Sequence, residues 1–148
     1  MPDHLDTLVL AFDFGLRRIG IAAGSAVTGT AAPRRTVLQG AAGPDWATID
    51  REIREVGPTM LLVGAPYNDD GSPGSLAKMA TRFADELHAR YRLPVERIDE
   101  SYSSVEAAAA LKVGRAEGRR KRVQRGDIDS AAAAVLLDSY LRNRTRHD

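Results

Sequence analysis

The stretch AFDFGLRRIGIA, Ala11 to Ala22, decides how the chain folds. The residues leading into it, Leu8 to Phe12, are apolar without a break, and Asp13 then interrupts them. An unpaired carboxylate at the end of a buried strand costs several kcal/mol or takes up a proton. Leu8 to Phe14 reads as a strand from its density of apolar and β-favouring residues. Gly15-Leu16-Arg17-Arg18 reads as a turn and Ile19 to Ala23 as the returning strand of a hairpin.

Outward from the hairpin, a third strand is expected around Thr36-Val37-Leu38. Pro44-Asp45 opens a helix whose apolar residues Trp46, Ile49, Ile53 and Val56 recur every three or four positions, and Gly57-Pro58 ends it. Met60 to Val63 shows no alternation, as expected of a strand covered on both faces. Tyr67 to Gly74 (YNDDGSPG) is turn-forming throughout. Leu76, Met79, Ala80, Phe83, Leu87 and Tyr91 mark one face of a long helix. Pro94 to Ile98 gives a further strand, ending in Asp99-Glu100-Ser101. Ser103 and Glu106 have capping-box spacing for a helix through Val113, and Asp127 to Leu141 forms an alanine-rich closing helix. The order βββ-α-β-α-β-α-α predicts a mixed five-stranded sheet with helices on both faces.

The 148 residues suit one domain, with a core from about residue 8 to residue 141. No cysteine is present, which excludes disulfides and thiolate metal sites, and the three histidines are scattered. The longest wholly apolar run, Ala131 to Leu137, is seven residues, too short to span a membrane. MPDHLDT has neither the basic start nor the apolar stretch of a signal peptide, so a soluble, cytoplasmic protein is expected. The formal net charge of +1 conceals an asymmetry. Lys112 to Gly126 holds seven Lys/Arg against one Glu, and the other residues carry 14 basic and 19 acidic side chains. A concentrated basic segment on an acidic body suits a polyanion, although a merely solvated loop has the same composition.

Three acids fall at element ends: Asp13 after the first strand, Glu100 after the last, and Asp129 in the first turn of the closing helix. Singly, each has a plain explanation, as a hairpin acid, a surface residue or a partner of the helix dipole. Together they can converge, and like charges tolerate one another only around something positive. Oxygen ligands without His or Cys point to Mg²⁺ or Mn²⁺. Carboxylates clamping such ions are the apparatus of phosphodiester hydrolysis. The alanines from Ala131 to Ala134 leave little bulk, so the closing helix can approach the sheet and draw Asp129 toward Asp13; helix propensity alone explains them equally well.

AFDFGLRRIGIA, VGAPYNDDG, VERIDESYSSVEAA and DIDSAAAAVLLDSYL, in this order, closely resemble the YqgF family over about Leu8 to Leu141. That family is named for pre-16S rRNA nuclease activity and also carries the older description Holliday junction resolvase-like. The resemblance implies an RNase H-like fold and a metal-dependent endonuclease acting on precursor rRNA. By position it assigns the metal and catalytic acids to Asp13, Glu100 and Asp129, and matches the family's loop with Asn68, Asp70 and Gly71. The family's leucine before that loop is Ala65 here, the arginine after its D-E pair is Ser101, and the lysine before its last acid is Asp127. Arg17, Arg18, Asn68 and the basic residues Arg119, Arg120, Lys121 and Arg122 are the candidate contacts to phosphate. No aromatic residue interrupts the basic segment, so selectivity is expected from shape or from a partner.

Three other readings fit the same features. An ATP-handling protein of the actin and sugar-kinase type also begins with a D-x-G hairpin, but normally encloses its nucleotide between two such domains. A nucleic-acid-binding ribosome-assembly or transcription factor without catalysis needs only the basic surface. A DNA-junction resolvase needs two symmetric sites, hence a dimer.

Overall fold

The run Leu8–Phe14 forms strand β1, followed by β2 (Arg18–Ser25), β3 (Thr30–Gly40) and β4 (Gly43–Pro44). Helix α1 (Trp46–Val56), β5 (Met60–Ala65), α2 (Ser75–Tyr91), β6 (Val95–Asp99) and the C-terminal helix α3 (Arg125–His147) complete the order. The computed structural model describes residues 7–65, 75–99 and 125–147, with the backbone alone for Ser75, Asp99, 125–128 and 143–147. The expected helix from Ser103 to Val113 lies outside the described residues.

Among the described residues, six strands form one sheet in the order β4-β3-β2-β1-β5-β6. β1 is central, which is why its sequence does not alternate: Val9, Leu10, Ala11 and Phe12 are all fully buried. It pairs antiparallel with β2 and parallel with β5, and β5 pairs parallel with β6. The carboxyl ends of β1, β5 and β6 therefore share one edge of the sheet, where sites of such folds collect.

The expectation of five strands is corrected to six. The additional one, β4, is two residues long and pairs Gly43 with Gly40 and Pro44 with Gln39. Glycine and proline carry no strand signal, so only the fold-back of the chain before α1 creates it. β3 is also far longer than the expected Thr36-Val37-Leu38. A bulge accommodates its Pro33: Ile21 faces Arg35 and Ala22 faces Pro33, leaving Arg34 as the extra residue. Both arginines then pair with the fully buried Glu52 of α1, Arg35 Nε at 2.8 Å from Oε2 and Arg34 through Oε1. Arg34 also reaches Glu55 at 3.0 Å. Pairing of this kind offsets the desolvation of a buried carboxylate.

One face of the sheet carries α1 and α2. Leu10, Phe12, Phe14, Ile19, Ile21, Leu61 and Val63 pack there against Ile49, Phe83 and Leu87. Phe83 is the hub, with ring centroids 5.5 Å from Phe12, 5.3 Å from Phe14 and 5.7 Å from Trp46. α1 begins and ends where the sequence predicts. The Asp45 side chain accepts from the Thr48 N–H, and Gly57, at φ 64°, closes the helix with an N–H bond to the Ile53 carbonyl.

Among the described residues, the other face is covered by α3. Val9, Ala11, Ala22 and Leu62 meet Ala133, Leu136, Leu137 and Leu141. α3 starts at Arg125, so the last two residues of the expected basic loop belong to this helix, and it continues past Leu141 to His147. No glycine or proline follows Leu141 to stop it there.

Candidate active site

Alternation along β1 sends Leu10, Phe12 and Phe14 toward α1 and α2, and Val9 and Ala11 toward α3. Asp13 belongs to the second set. Its register partners are Gly20 on β2 and Gly64 on β5, so the acid stands between two positions without side chains. Both glycines are used by α3. A Cβ on Gly20 would lie 1.9 Å from the Asp129 carbonyl oxygen, and one on Gly64 would lie 2.4 Å from Leu136 Cδ2. The first turns of α3 thus rest on the bare backbone of the sheet, and Asp129 comes beside Asp13.

This placement has an electrostatic cost. Burial, and next the negative charge of Asp129, push the Asp13 carboxyl up from 3.8 to about 7. Near neutral pH it exchanges its proton readily, the condition of a group that either accepts a proton or receives a cation. Asp129 is itself held by Arg18, whose Nε lies 2.6 Å from Oδ2. Arg18 opens β2 four residues after Phe14 and spans 111 positions to reach its partner. Arg17, next to it, is exposed at the hairpin turn.

The turn itself is tied down by Gln39 of β3. The Gln39 amide N–H donates to the Arg17 carbonyl at 2.8 Å, and its side-chain Nε2 donates to the Gly15 carbonyl. Gly15 is required there, since a Cβ would lie 2.6 Å from the Arg18 carbonyl oxygen. The hairpin is consequently a fixed platform beside the two acids.

Of the residues singled out in the sequence, the structure brings together Asp13, Asp129 and Arg18, with Arg17 adjacent. Asn68, Glu100, Ser101 and the basic residues Arg119, Arg120, Lys121 and Arg122 lie outside the described residues. Among the described residues, no group of three or more His, Cys, Asp or Glu is placed to hold a metal ion. The two carboxylates present nevertheless fit a hard divalent cation: both offer oxygen, and the proton demand on Asp13 is what a positive ion would relieve. Gly20, Gly64 and Gln39 were missed as positioning residues. A lone glycine within a strand does signal close approach of another backbone, and Gly20 carried that signal.

Comparison with known proteins gives the family and the fold. The family model described as RuvX, Holliday junction resolvase, matches residues 7–143. The chain belongs to the RuvX family. A relative from Edwardsiella ictaluri, named "Putative pre-16S rRNA nuclease", is 40% identical over 138 residues, covering 93% of this chain and 96% of its own. Another of the same name, from Nitrosococcus oceani, is 44% identical over 135 residues, covering 90% and 86%.

Among solved structures, RuvC of T. thermophilus in complex with a Holliday junction superposes with a TM-score of 0.53 at 15% identity, covering 94% of this chain and 96% of that one. The yeast mitochondrial Holliday junction resolvase Ydc2 gives 0.57 at 11% identity, covering 99% and 83%. This RuvX-family chain therefore has the RNase H-like fold of the RuvC resolvases.

Proposed function

We propose that the chain is a metal-dependent endonuclease that hydrolyses phosphodiester bonds in the 16S rRNA precursor, acting as one domain in the cytoplasm during ribosome maturation. The observation that carries this reading is the partly buried Asp13, flanked by Gly20 and Gly64 and set beside Asp129 at the carboxyl edge of the sheet. The family membership and the names of its relatives support the substrate.

In this reading Asp13, Asp129 and Glu100 hold Mg²⁺ or Mn²⁺. Glu100 directly follows Asp99, the end of β6, and β6 runs parallel to β5 toward the edge that carries Asp13. A divalent ion bound there supplies Lewis acidity toward water and the departing oxygen. The raised proton affinity of Asp13 is a demand that such an ion would meet. Arg17, Arg18, Asn68, Arg119, Arg120, Lys121 and Arg122 contact phosphates, giving affinity without base choice.

The test offers labelled precursor rRNA, a four-way DNA junction and ATP to the pure protein with Mg²⁺ or Mn²⁺, alongside Asp13→Asn and EDTA controls. Cleavage of rRNA that disappears in both controls supports the proposal. The family description and the junction-bound structural relative favour a second reading, DNA-junction resolution, which preferential cutting of the junction would establish. Binding without cleavage would indicate a ribosome-assembly or transcription factor, and turnover of ATP alone a kinase-like protein.

A further inference from the structure

Large apolar side chains are strongly exposed at few places among the described residues: Leu16 at 62%, Val27 at 61%, Leu38 at 68% and Met79 at 39%. Isolated exposed apolar residues are ordinary, but Leu16 and Leu38 are not scattered. Leu16 immediately precedes Arg17 in the hairpin turn. Leu38 is the register partner of Arg18, the residue whose guanidinium holds Asp129. The two leucines therefore bracket the two arginines at the rim of the acidic pair.

They are also held in place. Leu38 sits within the β2–β3 ladder, and the turn bearing Leu16 is fixed by Gln39 through the carbonyls of Gly15 and Arg17. A backbone fixed in this way need not be ordered when its side chains meet a partner, which favours binding. Val27 lies at the β2–β3 connection, at the other end of the hairpin, and has no such neighbours.

We infer that Leu16 and Leu38 form an apolar wedge that receives an unstacked base of single-stranded RNA next to the phosphate bound by Arg17. Apolar side chains, leucine among them, part base steps in other nucleic-acid complexes while cations hold the flanking backbone. RNA recognition favours single-stranded regions, whose bases can splay outward. The positive charge of the exposed Arg17 between the two leucines favours a polyanion over an apolar protein partner. The inference rests on the nuclease reading and deepens it: the substrate is single-stranded at the cut, and the leucines discriminate it from duplex.

The test measures binding in EDTA, without cleavage, so its result is separable from that of the activity assay. Fluorescence anisotropy compares a short single-stranded RNA carrying 2-aminopurine with a duplex of the same sequence, using the full chain and its Leu16→Ser and Leu38→Ser variants. Each variant should weaken single-strand binding by about tenfold, leave duplex binding within about twofold, and abolish the 2-aminopurine signal that unstacking produces. Leu38→Met should retain most of the affinity. Equal losses on both RNAs, or no loss on either, would overturn the wedge. So would a native dimer converted to monomer by Leu38→Ser, which would assign the surface to a second copy. Circular dichroism of each variant shows whether the fold is kept. Should the activity assay find no cleavage, the nuclease reading falls while the single-strand contrast still decides the wedge.

Discussion

Gly20 touches Asp129 backbone to backbone, and this contact brings an acid from the end of the chain to an acid near its beginning. A methyl group at Gly20 would lie 1.9 Å from the Asp129 carbonyl oxygen and 2.8 Å from the Ser130 nitrogen. Neither atom can move without the helix. Gly64 faces the end of the flexible Leu136 side chain instead, at 2.4 Å. Gly20→Ala is expected to destabilise by about 3 kcal/mol and Gly64→Ala by about 1 kcal/mol. Urea unfolding of both variants checks the difference. Equal effects would mean that α3 is free to shift.

The partly buried Asp13 makes the metal-free protein sensitive to pH. Its carboxyl titrates at about 7 when folded, against 3.8 for the free group, so the folded state keeps a proton that the unfolded state has lost. Stability is expected to fall as pH rises from about 4 to about 7, by on the order of 4 kcal/mol in total. Asp13→Asn should remove this decline. Thermal unfolding in EDTA across that range measures it, and a slope unchanged in the variant would refute the assigned cause. Uptake of Mn²⁺ by the native chain should release a proton below pH 7.

Arg18 occupies one oxygen of Asp129 and so stands where a cation would compete. Arg18→Ala is expected to tighten Mn²⁺ binding severalfold in calorimetry and to weaken RNA binding at the same time. Stability should change by less than about 1 kcal/mol, since both partners are partly exposed. Mn²⁺ affinity that falls instead would assign Arg18 to holding Asp129 in its binding position.

The basic segment predicts a salt effect. Changing Arg119, Arg120, Lys121 and Arg122 together to Ala should lower the slope of log affinity against log salt by roughly 3 for single-stranded RNA, if each contacts one phosphate. Binding titrations at several salt concentrations give the slope directly. No change would return the segment to a solvated loop.

Elements whose local sequence and burial agree were legible before the structure. β1 follows from its unbroken apolar run, and α1 from Asp45, its apolar spacing and Gly57. β3 was legible only in part, because Pro33, Arg34 and Arg35 mark a turn or a surface unless the bulge and Glu52 are known. β4 exists through its partner and has no signal of its own. At the site, Asp13 was conspicuous as a carboxylate in an apolar run. Its neighbours were not: Gly20 and Gly64 matter through what rests upon them, and the Arg18–Asp129 pair joins residues 111 positions apart, beyond any local pattern.

The stripped backbone around Asp13 also limits how heat-resistant this protein can become. Interiors are commonly toughened by filling gaps and replacing glycine with alanine, yet at Gly20 that route is closed by the helix backbone resting on it. Selection for survival at high temperature would gather its substitutions around the aromatic cluster of Phe83, and leave the acid-bearing side as thinly upholstered as it is now.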